Sequence, residues 1–338
     1  NSSSNKPSSS RDVRLAGRRR FYKYVGTEPV PPPWETPFDL PPQAHTVQSP
    51  ISAGVDDTQS ASGVSVAFPT MQELEEMLNP RNPETGDLLD CNQWYGVTLD
   101  GKSIKTPLGK QLAVPSQVLA WAIAAEWDQQ TKTLKPPQMP LMTLACTTID
   151  QVAGNPQFYR DLAFKFIPTD TTCFWADAAE DRILYRKQQK AFHDLHDYCQ
   201  TVLGEKPAVA MGASEGLIMT RRREGKEFGL PHPPTLVTKA HEWVHSLDAW
   251  NLCALHSVAS ETKSFFLGMA VVLSTNDTEN PFSMDLDKAI VASRIEEEFQ
   301  IEMWGLVEGG HDYDRLNNSI QIHAAQVLTS SIAVGNIQ

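Results

Sequence analysis

Apolar residues recur at three- and four-residue steps along most of the chain after residue 140, and alternate clearly only before it. The first period predicts amphipathic helices and the second half-buried strands. Alternation over Trp94–Leu99, the pair Asp100-Gly101 and a return over Lys102–Thr106 predict a hairpin with a two-residue turn. Arg20–Val25 reads as an earlier strand and Gln111–Val114 as a later one. Pro115-Ser116 then opens a helix predicted through Lys132, with Ser116 as its cap and Val118, Leu119, Ala122, Ile123 and Trp127 on its buried side. Helical spacing continues over 141–152, 156–166, 180–203, 234–248, 250–273 and 285–305, with Asn276–Pro281 as a break.

These elements predict an α+β fold, a small antiparallel β-rich N-terminal domain followed by a larger α-helical C-terminal domain. The expected organisation is a basic arm over 1–19, a β-rich domain over 20–140 and a helical domain over 141–330. A Pro-rich insertion interrupts the β-rich part over 26–93. Its PVPPPWETPFDLPPQ run and the Ser/Gly/Asp/Gln stretch after it read as an extended linker or strap, with Met71–Leu78 long enough for one or two helical turns.

One stretch reads differently from the rest. Asp285–Asp314 is expected to form a single long helix, capped by Ser283 or Asp285 and free of Pro and Gly until Gly305. Ala292, Ile295, Phe299, Met303 and Leu306 would face the core, and Ser293, Glu296, Glu297, Gln300 and Trp304 the solvent. An aromatic among carboxylates on an open face is the kind of patch a partner covers. Glu296, Glu297, Glu298 and Glu302 would then sit in the C-terminal half, against the helix dipole, with only Arg294 nearby. Carboxylates so placed are explained by a basic partner surface, or by an acidic solvated face without a role.

Charge sharpens this picture. The chain of 338 residues carries a formal charge of −12, yet residues 1–23 hold seven Lys and Arg against Asp12 alone. That leaves about −18 for the remainder, which disfavours nucleic acid and anionic membranes as main partners. Residues 1–20, rich in Ser and Arg and poor in acid, resemble a mitochondrial transit peptide or an ordinary basic arm. The longest apolar run, Phe265–Leu273, is too short to span a bilayer. Five widely spaced cysteines without a C-x-x-C pair suit a reducing compartment.

Three motifs bear on catalysis. His241-Glu242-Trp243-Val244-His245 is an H-E-x-x-H string, which in zinc peptidases supplies two ligands and a base, but here Asp248 stands where the extended form has Gly. Only Glu261 offers a loose third ligand, so a packing helix is the expected role and a zinc metallopeptidase the less favoured alternative. Gly212-Ala213-Ser214-Glu215-Gly216 fits the serine-hydrolase elbow without the preceding β/α units that such an elbow needs. His193 and His196 are three apart on a helix, a spacing that more often gives a solvated pair than a metal site. No catalytic residue, metal site or cofactor is therefore expected.

In order along the chain, several segments together resemble one family. They are Arg20-Phe21-Tyr22, Val97–Pro107, Val114-Pro115-Ser116, Ala124–Gln130, Met139-Pro140-Leu141 with Thr143-Leu144, and Thr169–Cys173. They close with Ser293–Gln300, Trp304-Gly305, Glu308 and His311-Asp312-Tyr313. The series is similar to the assembly chaperones for the α subunit of the ATP synthase catalytic head. The resemblance implies a non-catalytic protein of the mitochondrial matrix that binds the unassembled α subunit. It places partner-binding residues at Arg294, Glu296, Glu297, Gln300, Trp304 and Glu308. The insertion over 26–93 and Phe174-Trp175 after Cys173 depart from the family pattern. They leave open a permanent accessory subunit of a respiratory or ATP synthase complex, with other mitochondrial subunits as neighbours.

Overall fold

The computed structural model describes residues 17–33, 93–212, 215, 229–274 and 286–335. The basic arm before Gly17, the insertion from residue 34 to 92 with Met71–Leu78, and Cys91, Ser214, Ser283 and Asp285 lie outside them. The architecture is α+β as expected, a small antiparallel sheet followed by a helical body.

The sheet has the order β1 (Val25–Val30), β2 (Trp94–Leu99) and β3 (Lys102–Ser103), all antiparallel. Val25 pairs with Leu99 and Val30 with Trp94, so β2 is the central strand. The hairpin turn falls on Asp100-Gly101, both at positive φ (50° and 72°), as a type I′ turn requires. The return strand is shorter than predicted, because Lys105–Gln111 and Tyr95–Val114 contribute single bridges.

The predicted strand over Arg20–Val25 is corrected. The strand begins at Val25, and Arg20-Phe21-Tyr22 instead closes the end of α1 (Gln117–Asp128), which stops four residues short of the predicted Lys132. Arg20 donates to the carbonyls of Tyr22, Lys23, Asp128 and Gln130 and to the Asp128 carboxylate, using every N–H of its guanidinium. A cation at the negative end of the helix dipole is favourable as well. Tyr22 donates to Trp127 O at 2.6 Å, and burial pushes its hydroxyl up to about 12.

Across the expected boundary at residue 140, Glu126 of α1 accepts from the N–H groups of Leu141 and Met142 and so caps α2 (Pro140–Thr147). A π-helical turn over Thr148–Val152 leads to α3 (Pro156–Phe164). The helical body then comprises α4 (Arg182–Leu203), α5 (Pro234–Ser246), α6 (Ala249–Thr262) and α7 (Phe265–Leu273), with a two-residue parallel pair of β4 (Phe174–Trp175) and β5 (Ala210–Met211) beside α4. The predicted helix over 250–273 is two helices, broken at Lys263, whose φ is 57°. The break turns the apolar segment Phe265–Val272 back into the centre, where all eight residues are buried. Gly268 lets the hairpin close, since a Cβ there would lie 3.0 Å from Leu255 Cδ1.

Behind this hairpin runs a helix that the periodicity did not predict, α10 (His311–Gly335), packed against α6, α2, α7 and α1. It joins the two parts, whose buried residues form one contiguous cluster from Tyr22 to Ile332. The division at residue 140 remains a proposal.

Asp170 is the most constrained polar group of the core. Fully buried, it accepts from Thr172 N and Oγ1, Ser264 Oγ and Phe266 N. It thereby ties the segment 170–173 to the N-terminus of α7. Asp170→Ala would orphan these donors, each at about 1–3 kcal/mol. The expected loss is at least about 3 kcal/mol in urea unfolding, with a smaller loss for Asp170→Asn.

Burial raises Glu126 to about 7, above the ordinary carboxylate value of 4.5. The folded chain then binds more protons between those values than the unfolded one, so this contribution is complete below about 4.5 and is lost as pH rises through 7. The stability of the native chain relative to Glu126→Gln should fall by up to about 3 kcal/mol from pH 5 to pH 8. A flat difference would show that the carboxylate is ionised throughout.

Candidate functional site

The stretch expected as one helix is three elements. α8 (Asp287–Ser293) ends at Arg294, whose φ of −121° and ψ of 11° interrupt the helix, and α9 (Ile295–Trp304) follows at once. A turn over 305–310 leads into α10. Neither Pro nor Gly marks the first break. At the break Arg294 points inward, with only 6% of its side chain exposed. A buried guanidinium requires carboxylates close by. Arg294 Nε donates to Glu298 Oε1 at 3.3 Å, while Nη2 lies 2.7 Å from Glu297 Oε1 as an ion pair without hydrogen-bond alignment.

The break reverses the electrostatic reading. Glu296, Glu297 and Glu298 occupy the first turn of α9, where the helix dipole stabilises negative charge instead of opposing it. Nor is Arg294 the sole cation. Arg315 of α10 donates from Nε and Nη2 to the two oxygens of Glu298, the Nε bond being 2.7 Å long. These hydrogen bonds, Arg315's first, outweigh partial burial and hold the Glu298 carboxyl below its usual range. Glu302 is paired with Lys187 of α4 at 2.5 and 2.6 Å.

Between α4 and the α8–α9 junction lies a pocket of about 240 Å³, lined by Thr171, Phe192, Arg294, Glu296, Glu297 and Gln300 among others. Gln188, itself buried, accepts from Ala176 N and donates from Nε2 to Glu296 Oε1 at 2.8 Å. Glu296 thus presents one oxygen inward although the residue as a whole is open to solvent, and burial raises its carboxyl. The pocket gathers four of the six expected partner-binding residues. Trp304 is one helical turn beyond Gln300 and 79% exposed, and Glu308 is exposed in the turn that follows. Two carboxylates of one short helix, an amide and a buried arginine thus line one pocket.

Two expected sides of the helix change. Ala292 and Phe299 are buried, but Met303, inside the last turn of α9, and Leu306, just past its end, are 60% and 41% exposed. Arg294, expected on a partner-facing surface, is buried. Sequence reasoning missed Gln188, Lys187 and Arg315, which come from distant helices. The Gly305, Gly309 and Gly310 cluster was the available sign that the helix ends early and restarts.

The H-E-x-x-H string lies on α5. His241 stacks on Phe164 at 3.7 Å between ring centres, and Glu261 accepts from Asn317. Among the described residues no group of three or more His, Cys, Asp or Glu is arranged to hold a metal. Cys146, Cys173, Cys199 and Cys253 are buried thiols. No described helix is long and apolar enough to cross a membrane.

A family profile described as ATP12 chaperone protein matches residues 84–200. The Saccharomyces cerevisiae Protein ATP12, mitochondrial, is 26% identical over 253 residues, 68% of this chain and 76% of the relative. Over that stretch the chain is similar to the ATP12 chaperone family. Its Schizosaccharomyces pombe relative, also named mitochondrial, is 24% identical over 243 residues and covers 70% of this chain and 77% of its own. Both relatives are named mitochondrial, and the matching profile is described as a chaperone. The crystal structure of Atp12 from Paracoccus denitrificans superposes with a TM-score of 0.56 at 26% identity, covering 72% of this chain and 92% of that one. A putative chaperone from Agrobacterium tumefaciens shares the fold, with a TM-score of 0.59 at 24% identity over 71% and 80% of the two chains. The ATP12 profile match ends at Gln200, before α8–α10.

The ion pairs change what a charge reversal should do. Glu297→Lys sets a cation beside buried Arg294 and at the positive end of α9. It should lower stability by roughly 1–2 kcal/mol in thermal unfolding, and Glu297→Gln by less. A melting temperature unchanged in Glu297→Lys would contradict the pairing described here.

Proposed function

We propose that this protein is a matrix chaperone that binds the unassembled α subunit of the ATP synthase catalytic head and releases it during assembly. It acts by contact and not by catalysis. The partner-binding residues in this reading are Glu296, Glu297, Gln300, Trp304 and Glu308, with buried Arg294 paired to Glu297 and Gln188 holding Glu296.

One observation carries the reading. α9 is a ten-residue helix that buries Phe299 alone, and a helix of that length is marginal in water without a packed face. It is held by ion pairs at both ends, so that a largely unburied surface is kept in fixed shape. A chaperone that must hold and then release a subunit needs such a surface, preformed yet uncovered when the client is absent. The acidic balance of the chain suits a client face rich in Lys, Arg or free N–H groups.

The test is capture from mitochondria by the tagged chain, followed by native separation and mass measurement. The unassembled α subunit should be recovered in a complex lacking the mature enzyme, with the chain far below stoichiometry overall. Recovery at a fixed ratio in mature ATP synthase or a respiratory complex would overturn the chaperone assignment in favour of a resident subunit.

A further inference from the structure

We propose that the tip formed by the end of α9, the turn 305–310 and the first turns of α10 is an apolar anchor. It would seat in a hydrophobic groove of the client that is rimmed by Lys and Arg. This rests on the chaperone reading and extends its contact from Trp304 to Met303, Val307, Tyr313 and Leu316, which that reading does not include. Trp304 is 79% exposed, Tyr313 63%, Val307 61%, Met303 60% and Leu316 59%. Five large apolar side chains within fourteen positions form a patch of the type that interfaces cover, and Trp, Tyr and Met are the residue types enriched there.

The tip is built, and not frayed. Val307 N donates to His311 Nδ1 at 3.2 Å, and Gly310 and His311 N–H groups donate back to Val307 O. Gly305 and Gly309, at φ of 91° and 76°, take conformations that other residues rarely adopt. At the base, Arg315 clamps α10 to Glu298 of α9, Ser293 donates to Asn318 of α10, and Lys187 holds Glu302 against α4. The apolar side chains are therefore presented at little further ordering cost.

Charge selects the occupant. Exposed Glu302, Glu308, Asp312 and Asp314 lie along the same stretch, while Arg315 and Lys187, which reach α9 from α10 and α4, are committed to Glu298 and Glu302. A second copy of this chain would oppose the same acidic rim across a two-fold contact and bring another −12. A client groove with basic edges complements both the apolar centre and the rim.

The experiment uses the full chain carrying Trp304→Ser with Val307→Ser, the purified α subunit as probe, and a photoreactive residue at 303 in an otherwise native chain. Both substitutions are at open positions, so melting should shift by no more than about 2 °C. The α-subunit Kd should rise by about thirtyfold or more, chiefly through faster dissociation. Glu308→Gln with Asp312→Asn should instead weaken binding only a few-fold and reduce its salt dependence. Crosslinking from 303 should capture the α subunit. If native chain binds the α subunit and the Trp304/Val307 variant binds equally, the anchor is refuted and the chaperone reading stands. If native chain does not bind it, both fall. Crosslinks to a second copy, or to residues 1–23 of the same chain, would also refute the anchor by naming another occupant.

Discussion

The carboxylate of Asp170 is the constraint from which the helical body is arranged. It is fully buried and takes donors from two segments 94 residues apart in sequence. One is the turn that leads through β4 into α4, and the other is the start of α7, the most apolar helix of the core. Burial raises the Asp170 carboxyl to about 6 even with those bonds in place, so the site is costly unless every donor is present. Beside it, Thr171 donates to Thr262 O and its backbone N–H to Lys263 O, and the same threonine lines the pocket at the α8–α9 junction. The core hairpin and the candidate site are thus fixed by one cluster of hydrogen bonds.

The same logic recurs wherever the chain resembles the ATP12 family. Arg20 and Tyr22 close the end of α1, Glu126 caps α2, Asp170 joins α7 to the segment before α4, and Arg294 with Glu298 orders the α8–α9–α10 junction. These polar residues had been legible as a motif series, but their work is to satisfy backbone and charge inside the fold. That leaves less of the series free to touch a partner than the motifs suggest.

Legibility followed the range of the forces involved. The hairpin at Asp100-Gly101, the Ser116 cap and the helical spacing of α1 to α7 depend on neighbours within a few positions, and these elements were read with modest errors at their ends, apart from the missed break at Lys263 between α6 and α7. The break at Arg294 was not readable, because no Pro or Gly marks it and the residue there is a buried arginine. With the break missed, the dipole argument took the wrong sign, and Met303 and Leu306 were assigned to a core that they do not reach. The long α10 was hidden by its polar first turns, where Asp312, Asp314 and Asn317 mask the apolar face of Ile322, Ala325 and Leu328. Lys187, Gln188 and Arg315 come to the site from other elements, and no local pattern announces such pairs.

What the fold leaves uncovered is a short acidic helix with an apolar tip, held in shape by ion pairs to α4 and α10. The central claim is that this region, and not the sheet or the α5 face, meets the client. Amide hydrogen exchange of the full chain, alone and with purified α subunit, tests it most directly. Added protection should concentrate over residues 294–316, with β1–β3 and α5 unchanged. Protection confined to the sheet or to α5, with 294–316 exchanging as in the free chain, would contradict it.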